Sequence, residues 1–291
     1  MNDVVLITGI GGPAGSSSAS YVRKKGFRII GADMRNVDTP VDVFRRLPAV
    51  NDAVFSAQLL ALIQIERPSL FIPTVSEELP VVSRLKNAIC EQGCSVFISL
   101  PRAVDMAHDK LKTVRFFEKT DVTVPRTLDE FAPRDLVLRK LGTPCLSKPC
   151  IGRGGRGVVV YQSDRELLAE NRHGLIFQEF VSGQEYDLNL FAEPDGSVTS
   201  SAVLRKTKLK QGIVGNAASV VKDDQPDIEA IGRRVVAHLG LSGPLDMDIR
   251  RRADGKPVLL EINARVGGNV LASPEILDAL LQAWMKELHS R

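Results

Sequence analysis

The chain has 291 residues, 44% of them hydrophobic, which is enough for a substantial core in two ordinary domains or in one large α/β unit. Its net charge of +3 comes from interspersed acidic and basic residues, and no apolar run approaches membrane-spanning length, so we expect neither nucleic acid nor a membrane as a partner. Four cysteines without CxxC spacing or a nearby histidine argue against zinc, and together with an N-terminus that lacks a leader pattern they indicate a cytoplasmic protein.

Apolar runs and amphipathic stretches alternate through the N-terminal part of the chain. The run from Val4 to Thr8 is followed by the glycine-rich segment TGIGGPAG, a helix-like stretch through Lys25 and a second apolar run that ends at Asp33. Strand, glycine-rich turn, helix and strand in this order are typical of a doubly wound parallel sheet. We therefore predict an α/β fold that begins with a Rossmann-like domain over residues 1–103, with further helices at 58–66 and 77–92 and further strands at 69–75 and 95–99.

The glycines of the TGIGGPAG segment allow three interpretations. Gly9, Gly12 and Gly15 match the pattern with which short-chain dehydrogenases bind NAD(P), although the one tyrosine with a lysine four residues on, Tyr21 with Lys25, lies inside the first predicted helix. The glycines can instead form a tight turn that lets the helix and the strand pack closely. The loop and the helix N-terminus can also help to bind an anionic substrate.

A glycine-rich loop between two strands follows a helix that is predicted to begin at Pro101 and to continue through Asp109, Lys110 and Phe117. The loop lies in CLSKPCIGRGGRGVVVYQ, and its backbone N–H groups and cations can close over phosphates as a hairpin lid; a surface hairpin with a basic tip is the alternative. It is not a Walker A loop, because GKS/T is missing and a strand follows it. The residues expected to face phosphates are Gly152, Gly154, Gly155 and Gly157, with Lys148, Arg153 and Arg156.

Antiparallel strands are predicted to follow the lid. The segment 174–181 carries Glu179, and the next strand places Asp187 and Asn189 on one face with Glu185. The basic run of Arg205, Lys206, Lys208 and Lys210 is interpreted as a solvated strand edge, with capture of a substrate carboxylate as the alternative. Helices are predicted at 227–239 and after Ser273-Pro274, the second with Ile276, Leu277, Leu280, Leu281 and Trp284 on its buried side.

The stretch from Gly243 to Arg265 predicts a hairpin, since two runs of alternating apolar and polar residues are joined by Asp254-Gly255, a two-residue turn. Opposed carboxylates on such a hairpin repel each other, and a hard cation such as Mg²⁺ would offset that repulsion. A solvated face neutralised by Arg250 and Arg265 is the alternative. The predicted register places Asp248 opposite Glu261 and Asp246 opposite Asn263, with Leu260, Ile262 and Ala264 on the apolar face.

The order of these motifs along the chain resembles that of the ATP-grasp superfamily. The likeness is closest to proteins related to the carbamoyl-phosphate synthase large subunit, and it covers nearly the whole chain, with residues 104–291 similar to the ATP-grasp domain and 140–181 to its lid. The chain is far shorter than that subunit and has one grasp unit, so synthesis of carbamoyl phosphate itself is not expected. The motifs that carry the resemblance are Lys148, the glycine lid, Gln178-Glu179-Phe180-Val181, Glu185, and the hairpin with Asp248, Glu261, Asn263 and Arg265.

Each matching position implies a role. The resemblance implies that Lys110 and Lys148 contact the phosphates of ATP under the lid from Gly152 to Gly157, and that Arg265 steadies the transferring phosphoryl group or the acyl phosphate, which makes Arg265 and Lys148 the expected catalytic residues. It also implies that Glu179 and the backbone of Val181 meet the adenine and that Glu185 holds the ribose. Mg²⁺, or Mn²⁺ in its place, would be bound by Asp248, Glu261 and Asn263.

The family's reaction is phosphorylation of a carboxylate by ATP, followed by attack of an amine or another nucleophile on the acyl phosphate. The resemblance therefore implies an ADP-forming, Mg²⁺-dependent ligase whose partners are small-molecule carboxylate and amine substrates. The oligomeric state stays open, with a homodimer as the candidate. Phosphoryl transfer depends on positioning, metal and cations more than on a protein nucleophile, which agrees with the residues present. A catalytically silent ATP-binding module and an NAD(P)-dependent dehydrogenase remain the alternatives.

Overall fold

The structure is a computed structural model of the chain, and it describes residues 3–152, 154–168 and 173–290. Its first sheet is parallel and has the strand order β3-β2-β1-β4-β5, in agreement with the predicted strand–helix–strand opening. The third strand was not predicted, since its sequence VFRR has only two apolar residues. The elements are β1 (Val4–Thr8), α1 (Pro13–Lys24), β2 (Arg28–Asp33), β3 (Val43–Arg46), α2 (Phe55–Glu66), β4 (Leu70–Ile72), α3 (Leu79–Glu91) and β5 (Ser95–Val96), with a 3-10 turn at Ser76–Glu78.

Two short helices follow, where the sequence predicted one. They are α4 (Pro101–His108) and α5 (Lys110–Phe117). Asp109 separates them because its backbone is extended and its carboxylate accepts hydrogen bonds from the N–H groups of Leu111 and Lys112, at 3.0 and 3.1 Å. This is the geometry of a helix N-cap, which satisfies donors that have no partner in the first turn. Lys110 therefore begins the second helix.

A small antiparallel sheet carries the glycine-rich loop that is predicted to form the lid. Its order is β6-β9-β7-β8, and the pairing of β7 with β8 is the predicted hairpin around the glycine loop. The sheet includes a strand upstream of residue 140, at Thr127–Leu128. Its elements are β6 (Thr127–Leu128), α6 (Arg134–Leu141), β7 (Cys145–Pro149), β8 (Val159–Tyr161), α7 (Asp164–Leu168) and β9 (Leu175–Glu179), packed around the buried side chains of Val137 and Phe177.

The third sheet is antiparallel, with the order β12-β11-β10-β13-β14. Because β11 lies inside this sheet, the predicted solvated edge is wrong for Lys206, whose residue is only 7% exposed. The edge strand on that side is β12. The elements are β10 (Glu185–Ala192), β11 (Val198–Gln211), β12 (Val214–Lys222), α8 (Pro226–Leu239), β13 (Gly243–Arg251), β14 (Pro257–Asn263), a 3-10 turn at Val270–Ala272 and α9 (Glu275–Ser290).

Shared cores hold the first and third sheets together. One buried cluster extends from Leu6 in β1 to Ala264 beyond β14, and a second joins α9 to the other face of the first sheet. Trp284 of α9 is fully buried, with its ring 5.3 Å from that of Phe27. The predicted apolar face of this helix is confirmed. The three sheets consequently surround one cleft.

Candidate active site

The predicted pairing across the C-terminal hairpin is confirmed at its functional end. Asp248 lies opposite Glu261, and Asp246 lies opposite Asn263. The predicted two-residue turn is wrong: Arg252 N–H donates to the carbonyl of Lys256, so a longer turn that contains Gly255 with φ +83° closes the hairpin. A bulge beside Asp248 shifts the register back by one residue.

The bulge also changes which way one apolar residue points. Leu259, 1% exposed, pairs with Ile249 in the core, and Leu260 lines the cleft beside Glu261. The prediction that Leu260 faces the core was therefore wrong. An extra residue reverses the alternation of a strand, and the binary pattern of LLEIN contains no signal for its position.

The cleft between the sheets has a volume of about 1280 Å³. The predicted site residues that the structure describes line it, with the exception of Gly157. Arg153 lies outside the described residues. The cleft brings together Lys110, Lys148, Gly152, Gly154, Gly155, Glu179, Val181, Glu185, Asp248, Glu261, Asn263 and Arg265.

Two lysines offset the repulsion between the opposed carboxylates. Lys110 Nζ lies 3.2 Å from Glu261 Oε1 and donates to the carbonyl oxygen of Gly152 at 2.8 Å. Lys206 Nζ donates to Asp248 Oδ1 and, at 2.7 Å, to Glu185 Oε1. The arginines of the alternative interpretation have other partners, since Arg250 pairs with Glu185 and Arg265 with Asp246.

The hairpin face offers two carboxylates and one amide oxygen to a cation. Asn263 Oδ1 accepts a hydrogen bond from Ser76 Oγ at 3.3 Å, which orients the amide. Within the described ranges, no three His, Cys, Asp or Glu side chains form a metal-binding group. Two carboxylates with an amide fit Mg²⁺, which takes few protein ligands and completes its shell with phosphate oxygens and water.

Lys148 projects from β7 into the cleft and is 8% exposed. Its pKa is lowered to about 8, chiefly by burial; Glu261 acts in the opposite direction, and the nearby Lys110 adds to the lowering. Among the described residues no carboxylate forms an ion pair with Lys148, and a buried ammonium of this kind gains most from an anion that enters the cleft. This placement suits a phosphate-binding residue.

The lid loop lies between Lys148 and β12. Gly154, Gly155 and Gly157 have positive φ angles of 66°, 72° and 72°, which only glycine adopts at low cost. A Cβ on Gly154 would lie 3.1 Å from Nδ2 of Asn216 in β12. The loop therefore lies across the mouth of the cleft, from the small sheet to the third sheet.

Both carboxylate oxygens of Glu179 are engaged by arginines. Arg126 Nε donates to Oε2 at 2.5 Å, and Arg252 donates to Oε1. Burial raises the pKa of Glu179, but these hydrogen bonds outweigh it, so the pKa is lowered. Glu179 consequently ties β9 to the hairpin turn, and Val181, 4% exposed, follows it along the cleft wall.

Several cleft residues were not predicted as part of the site. Burial raises the pKa of Asp187, and the neighbouring Asp246 raises it further. For Asp246 burial also raises the pKa, but Arg265 outweighs it and the pKa is lowered. Asp187 and Lys206 lie on β10 and β11, and the sequence showed their alternation but not that β10 pairs with β13.

The N-terminal glycine loop also lines the cleft, with Gly9, Gly11 and Gly12. Two of its amides already have partners, since Gly11 N–H donates to Asp33 Oδ2 at 3.0 Å and Gly12 N–H donates to the Gly9 carbonyl at 2.8 Å. A Cβ on Gly15 would lie 2.7 Å from the Gly9 carbonyl carbon. Of the three interpretations, the tight turn with close packing is the one these contacts favour.

Comparison with known proteins follows the same division of the chain. The ATP-grasp domain family matches residues 107–269, which is more than half of the sequence. The chain belongs to the ATP-grasp family. The match includes the glycine-rich loop, Lys110, Lys148 and the hairpin with Asp248 and Glu261.

The sequence relatives of this ATP-grasp chain include carbamoyl-phosphate synthases. The enzyme of Methanobrevibacter smithii is 25% identical, and the match covers 85% of this chain and 70% of that protein. The multifunctional protein CAD of Squalus acanthias is 23% identical over 84% of this chain. The chain spans only 12% of CAD.

Solved structures with the same fold include other ligases and carboxylases. The L-amino acid ligase of Bacillus licheniformis has a TM-score of 0.73 and 19% identity, and the match covers 93% of this chain and 69% of that one. A biotin carboxylase domain dimer of Hydrogenobacter thermophilus, solved with MgADP and bicarbonate, has a TM-score of 0.68 and 12% identity, with coverage of 90% and 64%. No helix among the described residues has the length and apolar character needed to cross a bilayer.

Proposed function

We propose that this ATP-grasp protein is an ADP-forming ligase, which uses ATP and Mg²⁺ to join a small-molecule carboxylate to an amine or a related nucleophile through an acyl phosphate. Mn²⁺ is expected to replace Mg²⁺. The observation that carries the proposal is one cleft in which a glycine lid and two lysines face the opposed pair of Asp248 and Glu261. Groups that can bind an anion and groups that can bind a cation therefore lie in the same space.

We assign the nucleotide to the part of the cleft between the small and the third sheet. The adenine would lie near Val181 and Glu179, where the apolar side chains of Leu146 from β7 and Leu260 from β14 also line the cleft. Glu185 would accept hydrogen bonds from the ribose hydroxyls. Burial raises its pKa, and Asp248 adds to this, whereas Lys206 and Arg250 act in the opposite direction.

The triphosphate would lie between the lid and the hairpin. Lys110 and Lys148 would contact it, and the loop from Gly152 to Gly157 would close over it. Asp248, Glu261 and Asn263 would hold Mg²⁺, which, when bound, neutralises charge on the phosphate oxygens. Positioning and charge stabilisation of this kind account for most catalysis of phosphoryl transfer.

Arg265 would act on the transferring group. Its Nη1 donates to Asp246 and, at 2.9 Å, to the carbonyl of Val266, while its Nε donates to Ser76 Oγ at 3.3 Å. These bonds fix the guanidinium before substrates arrive. A fixed cation costs no reorganisation when charge develops during the reaction.

The carboxylate and the nucleophile would occupy the end of the cleft beside the N-terminal loop. We propose accordingly that residues 1–103 form a Rossmann-like substrate-side domain and residues 104–291 the ATP-grasp domain. The dehydrogenase alternative is disfavoured, because the amides that would bind a pyrophosphate are those of Gly11 and Gly12, and both have partners.

Sedimentation analysis at working concentration tests the expected homodimer.

A coupled assay of ADP release over pairs of carboxylic acids and amines tests the activity and its substrate class together. ADP is expected only when both members of a productive pair are present. ATP binding without ADP release across a broad panel would favour the silent module, and tight NAD(P)H binding without ATP binding would favour the dehydrogenase.

Glu261→Gln tests the metal assignment within that assay. We expect turnover to fall at least about 100-fold, since the variant removes one of two carboxylates from the cation, while thermal denaturation stays close to wild type. The exposed Glu91 gives a matched control, and Glu91→Gln is expected to retain full turnover. Full activity of Glu261→Gln would rule out the assigned metal site.

A further inference from the structure

Lys206 lies where none of the roles above needs a lysine. It projects from the interior strand β11 and is 7% exposed, and its ammonium bonds both to Glu185 and to Asp248. Its neighbours Thr207 and Lys208 are exposed. Lys206 thus joins the carboxylate assigned to the ribose to one of the two assigned to the metal.

Burying an ammonium here is costly unless its partners are good ones. Three acids surround it, since Asp187 also acts on Lys206 through its charge, next to Glu185 and Asp248. The ammonium of Lys206 is a compact cation held by carboxylates inside the cleft. In its charge and in the type of its ligands it resembles a bound metal ion. The same Asp248 cannot give its full charge to two cations at once.

The other metal carboxylate has a lysine of its own. Lys110 lies 3.2 Å from Glu261, and it also reaches the lid at Gly152. Glu185, Asp248 and Glu261 are each already paired with a lysine or an arginine of the cleft. A divalent cation that arrived alone would add positive charge to paired carboxylates, whereas one that arrives with a polyphosphate brings negative charge with it.

We infer, on the basis of the proposed function, that Lys206 competes with the divalent cation for Asp248. The competition makes metal binding depend on the nucleotide, because phosphate oxygens supply the negative charge that lets the ammonium give up its share of Asp248. Lys206 is thus a positioning residue that couples the metal to its nucleotide and disfavours occupation by free metal. Lys110 acts in the same sense on Glu261.

The test measures binding of Mn²⁺ to the full chain by electron paramagnetic resonance of the free ion, without added nucleotide. Lys206→Gln keeps a donor for Glu185 and Asp248 but removes the charge, and it is expected to bind Mn²⁺ at least about tenfold more tightly than wild type. Lys208→Gln, on the same strand but exposed, is the matched control and is expected to behave as wild type. Equal affinities of wild type and Lys206→Gln would overturn the inference.

A second variant keeps the inference testable if Lys206→Gln does not fold. Asp248→Asn is expected to leave Mn²⁺ binding without nucleotide unchanged, because Lys206 already limits that carboxylate, but to weaken Mn²⁺ binding in the presence of ADP. A loss of equal size in both conditions would contradict competition by Lys206.

The ADP arm also separates this inference from the proposed function. Wild type with ADP is expected to hold more Mn²⁺ than the same ADP holds without protein. If it does not, the metal assignment itself fails. If it does, and Lys206→Gln binds free Mn²⁺ no better than wild type, only the role of Lys206 is wrong.

Discussion

Two glycine-rich loops line the same cleft, but different forces fix them. In the N-terminal loop close packing requires glycine: a Cβ on Gly15 would lie 2.8 Å from the Cα of Ile10, and one on Gly9, which also has a positive φ of 63°, would lie 3.0 Å from Thr74 Oγ1. The loop amides of Gly11 and Gly12 are bonded within the protein. Little room remains for this loop to change shape.

The lid loop is less tightly packed, with contacts of 3.1 Å for a Cβ on Gly154 or on Gly157. A Cβ on Gly152 would have its nearest neighbour 3.8 Å away, at Pro149 Cβ. What requires glycine here is the backbone, because Gly154, Gly155 and Gly157 have positive φ angles. The first loop is thus held by its neighbours, and the second is shaped by its own conformation, which is what a segment that closes over a ligand needs.

Similar composition therefore conceals different roles. Four glycines in TGIGGPAG and four in IGRGGRG look alike as letters. Glycine answers either a lack of space for a Cβ or a need for positive φ, and a single sequence does not distinguish the two. Substitution by alanine does distinguish them, because it adds the Cβ in both loops.

The largest effect is expected for Gly15→Ala. The new Cβ would fall on the Gly9 carbonyl group, 2.7 Å from its carbon, and backbone atoms in a tight turn cannot move aside as a side chain can. Overpacking of this kind costs about 1–3 kcal/mol, and the free energy of unfolding is expected to fall by at least that amount. Urea denaturation measures it.

Gly152→Ala is the matched control in the lid. Gly152 has no positive φ and no close neighbour, so its free energy of unfolding is expected to stay within about 1 kcal/mol of wild type. Equal destabilisation by the two variants would remove the distinction between the loops.

The sequence predicted the third sheet better than its surroundings. Alternation in β13 and β14 was enough to pair Asp248 with Glu261, because a slip by one residue would bury charges. The alternation did not locate the bulge at Leu260. The bulge is needed because the longer turn sets a register at the turn end of the hairpin that differs by one residue from the register at Asp248. The two errors, in the turn and in the bulge, cancel at Asp248.

Contacts between distant elements account for the remaining errors. Lys206 was interpreted as an edge residue because its run of cations is polar on both faces, and only the order of the strands shows that β11 is interior. The break before Lys110 depends on the side chain of Asp109, whose capping role a helical pattern conceals. β3, with two apolar residues, exists because β2 pairs with it.

The next largest effect is expected for Lys148→Met, on the strand that leads into the lid loop. The variant removes a buried cation from the proposed phosphate site, and a hydrogen bond to a charged group contributes about 1.5–3 kcal/mol, so the dissociation constant for ATP is expected to rise at least about tenfold. Calorimetric titration measures it. The exposed Lys112 gives the control, and an unchanged affinity in Lys148→Met would place the phosphates elsewhere.

The pH dependence of ATP binding is expected to report on the same lysine. Since burial lowers the pKa of Lys148 to about 8, its charge is lost as the pH rises through that value, and ATP binding should weaken over the same range. The step should be absent in Lys148→Met. An equal step in both proteins would assign it to another group.

The stability of the fold should increase with rising pH, whereas ATP binding weakens. Between about 8 and the ordinary lysine value of 10.5, the unfolded chain binds more protons at residue 148 than the folded chain does. The free energy of unfolding therefore gains a contribution as the pH rises through this window. The difference between wild type and Lys148→Met, measured by urea denaturation from pH 7 to about 10, isolates that contribution.

The smallest effect is expected for Gly154→Ala, which sharpens the comparison within the lid itself. A residue other than glycine at φ +66° costs about 1 kcal/mol, and the neighbouring Asn216 side chain can move to admit the Cβ. The free energy of unfolding should fall by about that amount. The KM for ATP should rise a few-fold, because the loop no longer adopts this backbone conformation without strain. Gly152 has no positive φ, so Gly152→Ala should leave the KM unchanged. If both variants raised the KM equally, the cause would be the added volume of the methyl group and not the backbone conformation.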